Sequence, residues 1–349
     1  MTFVSILEAG IIAVLTYLQS HVAACLLPAF FIAGAISALV PKESITRMLG
    51  AGASKWKAYP VAVAAGLLLA VCSCTILPLF AGIRKKGAGL GPGVTFLYTA
   101  PATNILAILF TGSVLGWQLA GARIIFSVAF AIIIGLILSS IFHEQKGSSN
   151  IHDQTAAKDP NVSFIRRHRV LLFVASLFAI LFAGISKLDL MMKLSILLIL
   201  IALVLLQLRL FSRDERRRWL QETWMFFRMI FPLLLLGIFV AGVLGALLPA
   251  KLLASYVGDN SVLANFIAVL FGTVMYFPTL IEVPMAQLFL SLGMASGPLL
   301  AYLLADPVIS LPSLLVVRKL MGNRQTLVYA GLIIVFSTIA GLSYGLLRG

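Results

Sequence analysis

Apolar runs separated by short polar or Gly/Pro-bearing connectors cover almost the whole chain. A membrane-crossing helix needs about 20 consecutive apolar residues. On that measure the pattern predicts a long helix or helix pair over 3–40, with its firm span at about 22–40. A polar, basic connector follows from Lys42 to Lys57. Residues 60–83 are apolar but interrupted at Cys72-Ser73-Cys74 and Pro78. Spans are expected at about 94–111 and 117–141. The stretch 142–169 is the one long hydrophilic loop. A helical hairpin is expected at 170–186 and 191–208, then a second basic loop from Arg213 to Arg218. The remainder reads as a span at 226–248, a broken segment at 262–290, and spans at 298–316 and 325–347.

The order of these segments repeats. Residues 60–141 recur without a gap 206 positions further on. Gly66, Pro78, Gly87, Gly91, Pro92, Pro101, Gly116 and Gly135 face Gly272, Pro284, Gly293, Gly297, Pro298, Pro307, Gly322 and Gly341. Chance would match about one of the fourteen Gly and Pro residues in the first stretch. Gly and Pro set backbone geometry, so their coincidence implies one backbone shape built twice. A duplicated apolar unit interrupted by Gly and Pro is the pattern of secondary transporters.

Charge decides how the copies point. Lys and Arg near span ends mark the cytoplasmic side. Lys42, Arg47, Lys55, Lys57, Arg84, Lys85 and Lys86 flank the first broken segment, whereas Lys251 alone flanks the second. Between the last two spans of each copy the bias reverses: the first connector has no cation, and the second has Arg318, Lys319 and Arg324. Mirror-image bias fits oppositely oriented copies, and it makes each broken segment a re-entrant helical hairpin with its turn near the midplane. The expected fold is therefore an all-α polytopic membrane protein. It has two inverted repeats, each with three transmembrane helices and a re-entrant hairpin, plus a central helical hairpin. That gives about eight crossings with the N-terminus outside. The expected organisation is a first repeat at 1–141, a cytoplasmic loop at 142–169, a central transmembrane hairpin at 170–210 and a second repeat at 211–349. The rival threads 60–83 and 262–290 straight through, with ten crossings and parallel copies.

Composition agrees: the chain is 61% hydrophobic and only 11% charged. A soluble domain carries about twice that charge. No cleavable signal peptide is evident. The net charge of +14 sits in connectors, where it serves topology and anionic lipid rather than nucleic acid. The four His (His21, His143, His152, His168) have no metal-ligand spacing, so no catalytic residue, metal or cofactor is expected.

The candidate chemistry lies at the predicted hairpin tips and helix breaks. Cys72 and Cys74 place two thiols at one break, and thiolates favour soft, polarisable ligands. Against this, Cys is also a common small apolar residue of buried helices, and a reversible disulfide is a further option. Cys25 reads as packing. The second tip carries Glu282, and Asp306 lies just inside the next span; an ionisable residue at that depth is a functional candidate by default. Either can bind and release a proton during transport, with a salt bridge to Arg123 or Arg228 as the structural alternative. Ser73, Thr75, Thr99, Thr103, Asn104 and Ser310 belong to the same segments and are as well suited to satisfying freed backbone. The Gly-rich run Gly87–Gly93 lacks a preceding strand and a G-K-[ST], so it reads as a tight turn rather than a phosphate cradle.

Together Cys72-Ser73-Cys74-Thr75-Ile76-Leu77-Pro78, the following Gly-Pro turn, Ala100-Pro101-Ala102-Thr103-Asn104, and Asp306-Pro307 through Leu311-Pro312-Ser313 resemble the ArsP/YraQ-like bacterial permease family. The resemblance implies a multi-pass permease of the bacterial inner membrane. In the better-understood branch the cargo is a trivalent organoarsenical, and efflux is the direction. Carried over residue by residue, it implies that Cys72 and Cys74 meet the arsenic atom; by their position alone, Ser73, Thr75, Thr103 and Asn104 are candidates to line the substrate site, and Glu282 and Asp306 to couple an ion. No ATP-binding motif is present in the sequence, so coupling would be secondary. The expected partners are a small soft solute and the bilayer, and a homo-oligomer is compatible with the sequence. A channel subunit working with a separate partner, and a membrane thiol-redox protein, are the alternatives.

Overall fold

The computed structural model describes residues 3–19, 26–40, 42–69, 73–142, 160–185, 189–247, 256–275, 277 and 279–348. Every regular element among them is helical. Four helices are long and apolar enough to cross a membrane: Trp117–Ile141, Met191–Leu208, Arg213–Leu244 and Asn323–Leu347. A fifth span is available if Leu90–Ala102 and Ala107–Leu115, bent by 44° at their break, count as one.

The first broken segment forms α4 (Lys55–Leu69) and α5 (Ser73–Lys85), followed by α6 (Leu90–Ala102). α4 runs parallel to α6: Tyr59 lies against Gly91, and Gly66 against Thr99. α5 runs the opposite way, with Phe80 and Arg84 against Gly93 at the start of α6. At that same end Gly89 N donates to Leu49 O at 2.6 Å. The chain therefore leaves along α4 and returns along α5 to where it began. The two helices form a hairpin and not one straight rod.

The same shape recurs in the second copy, which comprises α12 (Val262–Val274), α13 (Thr279–Ser291) and α14 (Ser296–Ala305). Ala295 N donates to Val257 O at 2.9 Å. The turn after α5 is closed by Ala88 N to Ile83 O at 3.1 Å, and the turn after α13 by Met294 N to Phe289 O at 2.9 Å. Both turns need a left-handed residue, and both use glycine: φ is 90° at Gly87 and 98° at Gly293. In each copy a broken helix and a long helix follow: α7 (Ile105–Leu115) and α8 (Trp117–Ile141), then α15 (Leu311–Met321) and α16 (Asn323–Arg348). Close crossings repeat too. A Cβ on Gly91 would lie 2.8 Å from Gly135 O, and one on Gly297 would lie 2.7 Å from Gly341 O.

The copies grip each other crosswise: α7 of the first packs on α13 of the second, and α5 on α15. α8 meets α16, where the rings of Phe130 and Phe336, equivalent in the repeat, lie tilted against each other at 5.1 Å. α1 (Phe3–Tyr17) and α2 (Leu27–Leu39) both pack along α11 (Arg213–Leu247). Gly10 lies against Val243, Ala13 against Gly242, Phe30 against Phe227 and Ser37 against Glu222, so the pair runs antiparallel to α11. Lys85 Nζ, at the mouth of the first hairpin, reaches Glu222 at 2.6 Å and ties it to this layer.

α9 (Pro160–Ile185) and α10 (Leu190–Leu208) form the central hairpin. Some sequence-based boundaries move. The described part of α9 already includes residues from Pro160, ahead of the expected 170. The connector from Lys42 contains a short helix, α3 (Lys42–Leu49). Arg213 to Arg218 is not a loop but the opening turns of α11, started by a capping box: Glu215 N donates to Ser212 Oγ at 3.2 Å, and Ser212 N to Glu215 Oε2 at 3.0 Å.

A buried charged cluster where the two copies meet

Arg123 on α8 is completely buried, as is Glu282 in the first turn of α13. The two form an ion pair between Nη1 and Oε1. Arg228, the other partner considered for Glu282, is exposed on α11. The remaining bonds of Arg123 are made to the helix break after α6. Its Nε donates to Ala102 O at 3.1 Å, a carbonyl at the C-terminal end of a helix, and its Nη1 donates to Thr111 Oγ1 at 3.2 Å. A carboxylate in the first turn of a helix also lies at the favourable end of the helix dipole. The first copy's arginine is thus set by its own broken helix and completed by the second copy's hairpin.

Asp306 ends α14 just ahead of Pro307 and is 2% exposed. It is within electrostatic reach of both Glu282 and Arg123. The Phe277 backbone is within hydrogen-bonding reach of its carboxylate, though at poor geometry, and Arg123 Nη2 has no partner among the described residues. Tyr302, one turn earlier, faces the same three charges. Tyr98 on α6 lies near Arg123 and Ser337, and Tyr329 on α16 lies near Tyr98. The hydroxyls of Tyr98, Tyr302, Tyr329 and Ser337 are also without good hydrogen-bond geometry among the described residues. A buried polar group left unmatched costs about 1–3 kcal/mol. So many in one place mark a site for water, an ion or a polar solute.

Of the predicted substrate residues, Cys72 lies outside the described residues, as does the side chain of Cys74, whose backbone is in the first turn of α5. Cys25 is likewise outside them. Ser73, Thr75, Thr103 and Asn104 are all buried. Thr99 Oγ1 donates to Thr95 O and Thr103 Oγ1 to Thr99 O, each at 2.7 Å. Ser310 and Ser313 form a capping box that restarts the helix after Asp306. The two threonine hydroxyls thus bond back to carbonyls one helical turn earlier, and the serine pair caps the next helix. Glu282 and Asp306 come together, and Arg123 joins them. The tyrosines were not singled out from the sequence, since tyrosine in an apolar helix reads as packing. Among the described residues no group of three or more His, Cys, Asp or Glu is placed to hold a metal ion.

A family profile described as "Predicted permease" (ArsP_1) matches residues 8–346. The chain belongs to the ArsP_1 family of predicted permeases. UPF0718 protein MJ0584 of Methanocaldococcus jannaschii is 38% identical, with 99% of this chain and 98% of that protein covered. UPF0718 protein YraQ of Escherichia coli K12 is 23% identical over 88% of this chain and 72% of its own length. UPF0718 protein YcgR of Bacillus subtilis is 31% identical over 33% of this chain and 39% of its own length. No solved structure matches. Membership of ArsP_1, with the apolar helices, makes this a multi-pass membrane protein of the permease class, and points to transport rather than catalysis.

Proposed function

We propose that the chain is a secondary transporter of the plasma (bacterial inner) membrane, made of two inverted copies whose hairpins meet near the midplane. Its eight crossings are the α1–α2 path, α6–α7, α8, α9, α10, α11, α14–α15 and α16. The antiparallel packing of α1–α2 on α11 supports inversion, because α2 and the second half of α11 occupy equivalent places in the repeat. The crosswise grip of hairpin on broken helix supports it too. Alternating access then arises as one bundle rocks against the other.

The observation that carries the reading is the buried Arg123–Glu282–Asp306 cluster. Two carboxylates and one guanidinium leave one negative charge when all are ionised. A low-dielectric interior does not tolerate that charge, so one proton or monovalent cation must accompany it. Asp306, outside the ion pair, is the carrier. Cys72 and Cys74 bind a soft, thiol-reactive solute such as a trivalent organoarsenical, with Ser73, Thr75, Thr103 and Asn104 lining its path. Export is the direction.

In everted vesicles the protein is expected to move a trivalent organoarsenical, and collapse of the proton gradient is expected to stop it. Cys72→Ser with Cys74→Ser should reduce this movement to background at unchanged expression; undiminished efflux would remove the thiol site. Cysteines inserted in the turns at 84–91 and 291–297 should label from opposite faces, cytoplasm and periplasm respectively. Labelling of both from one face would mean parallel copies.

A further inference from the structure

We propose that the first turns of α11 form a binding site for the headgroup of an anionic phospholipid. Arg213, Arg216, Arg217, Leu220, Gln221 and Trp224 line one groove of about 580 Å³. Their spacing of i, i+3, i+4, i+7, i+8 and i+11 puts them on a single helix face. Three guanidiniums lie at its start, and an apolar floor lies further along. Leu220 is 52% exposed and Trp224 63% exposed, with the Trp224 ring stacked on Phe227 at 5.5 Å.

The groove's charge is not spent within the protein. Among the described residues none of the three arginines forms an ion pair. Of the carboxylates nearest in sequence, Asp214 borders this face, while Glu215 and Glu222 lie off it and are engaged: Glu215 accepts the Ser212 N–H, and Glu222 holds Lys85 and Ser37. Arginine suits a phosphodiester because its planar fork donates two parallel bonds to neighbouring oxygens.

The order of residues selects a lipid over a free anion. A soluble phosphate needs the cations alone. Here the cationic turns pass directly into exposed Leu220 and Trp224, and from there into the apolar body of a membrane-spanning helix. Trp favours the boundary between headgroups and acyl chains. A ligand with an anionic head and an apolar tail satisfies both parts at once. The site is independent of the transport cycle and of its cargo.

The test uses the full-length protein purified in detergent and given an equal mixture of phosphatidylglycerol and phosphatidylcholine, with bound lipid counted by native mass spectrometry. The wild type is expected to retain phosphatidylglycerol over phosphatidylcholine by about tenfold or more, given the attraction of each cation to an anionic surface. Arg213→Gln with Arg216→Gln and Arg217→Gln should bring the ratio near parity. Arg216→Gln with Arg217→Gln should give an intermediate value and keeps the test valid if the triple variant is poorly folded. Arg318→Gln, Lys319→Gln and Arg324→Gln together remove as much charge elsewhere and should leave the ratio unchanged. Equal retention by the wild type and the groove variants would overturn the proposal. So would an equal loss in the control, which would mean bulk charge alone. Displacement of the lipid by millimolar inorganic phosphate would also overturn it, since the groove would then be a free-phosphate site.

Discussion

Arg123→Met is expected to be the most damaging single substitution in the chain. It leaves Glu282 completely buried without its counter-charge, a change that costs about 3–5 kcal/mol when one partner of a buried pair is removed. It also strips the Ala102 carbonyl and Thr111 hydroxyl of their donor. Thermal unfolding of the purified protein should show a large drop in midpoint, with reduced yield. Arg123→Met combined with Glu282→Leu should recover most of that stability, because a buried pair replaced by apolar groups of similar volume is often neutral. Transport should not recover. A double variant no more stable than the single one would mean that Arg123 acts mainly through the α6–α7 break and not through Glu282.

Asp306→Asn is expected to separate stability from transport. Asparagine has nearly the same shape, and its amide oxygen can still accept from the Phe277 backbone within reach of the carboxylate, so the fold should be kept. The amide cannot exchange a proton. Solute uptake into everted vesicles should fall to the level of vesicles without the protein, and it should no longer respond to an imposed pH gradient. The ordinary thermal midpoint of the variant is the control. An Asp306→Asn protein that still answers the gradient would move the carrier role to Glu282 or away from this cluster.

Much of the architecture was legible because glycine and proline mark geometry that no other residues provide. Gly87 and Gly293 sit in left-handed turns, as do Gly116 and Gly322 at the breaks between paired helices, so the 206-residue offset tracks real backbone. The broken segments were legible as apolar runs interrupted at Cys72-Ser73-Cys74 and Pro78, and at Pro278 and Pro284. The start of α11 was misread because six residues with four arginines look like a solvated loop, yet Ser212 and Glu215 stand at the spacing of a capping box. Within the cluster, Glu282 and Asp306 stood out as acids inside apolar segments. Choosing Arg123 over Arg228 required three-dimensional structure: both lie in spans, and only the ion pair between Arg123 and Glu282 decides between them. The tyrosines left no signal, since their hydroxyls acquire meaning only from what surrounds them.

The ion pair between Arg123 and Glu282 also bears on how the polypeptide is made. During synthesis α8 enters the bilayer while α13 is still unmade, so the guanidinium has no carboxylate to meet. Inserting such a residue at a helix centre costs about 2.5–3.5 kcal/mol on translocon scales. The amino-terminal half must therefore wait, wetted or shielded by the insertion machinery, until its sibling arrives. That half expressed alone is expected to be poorly stable, and the two halves expressed as separate chains should rescue one another.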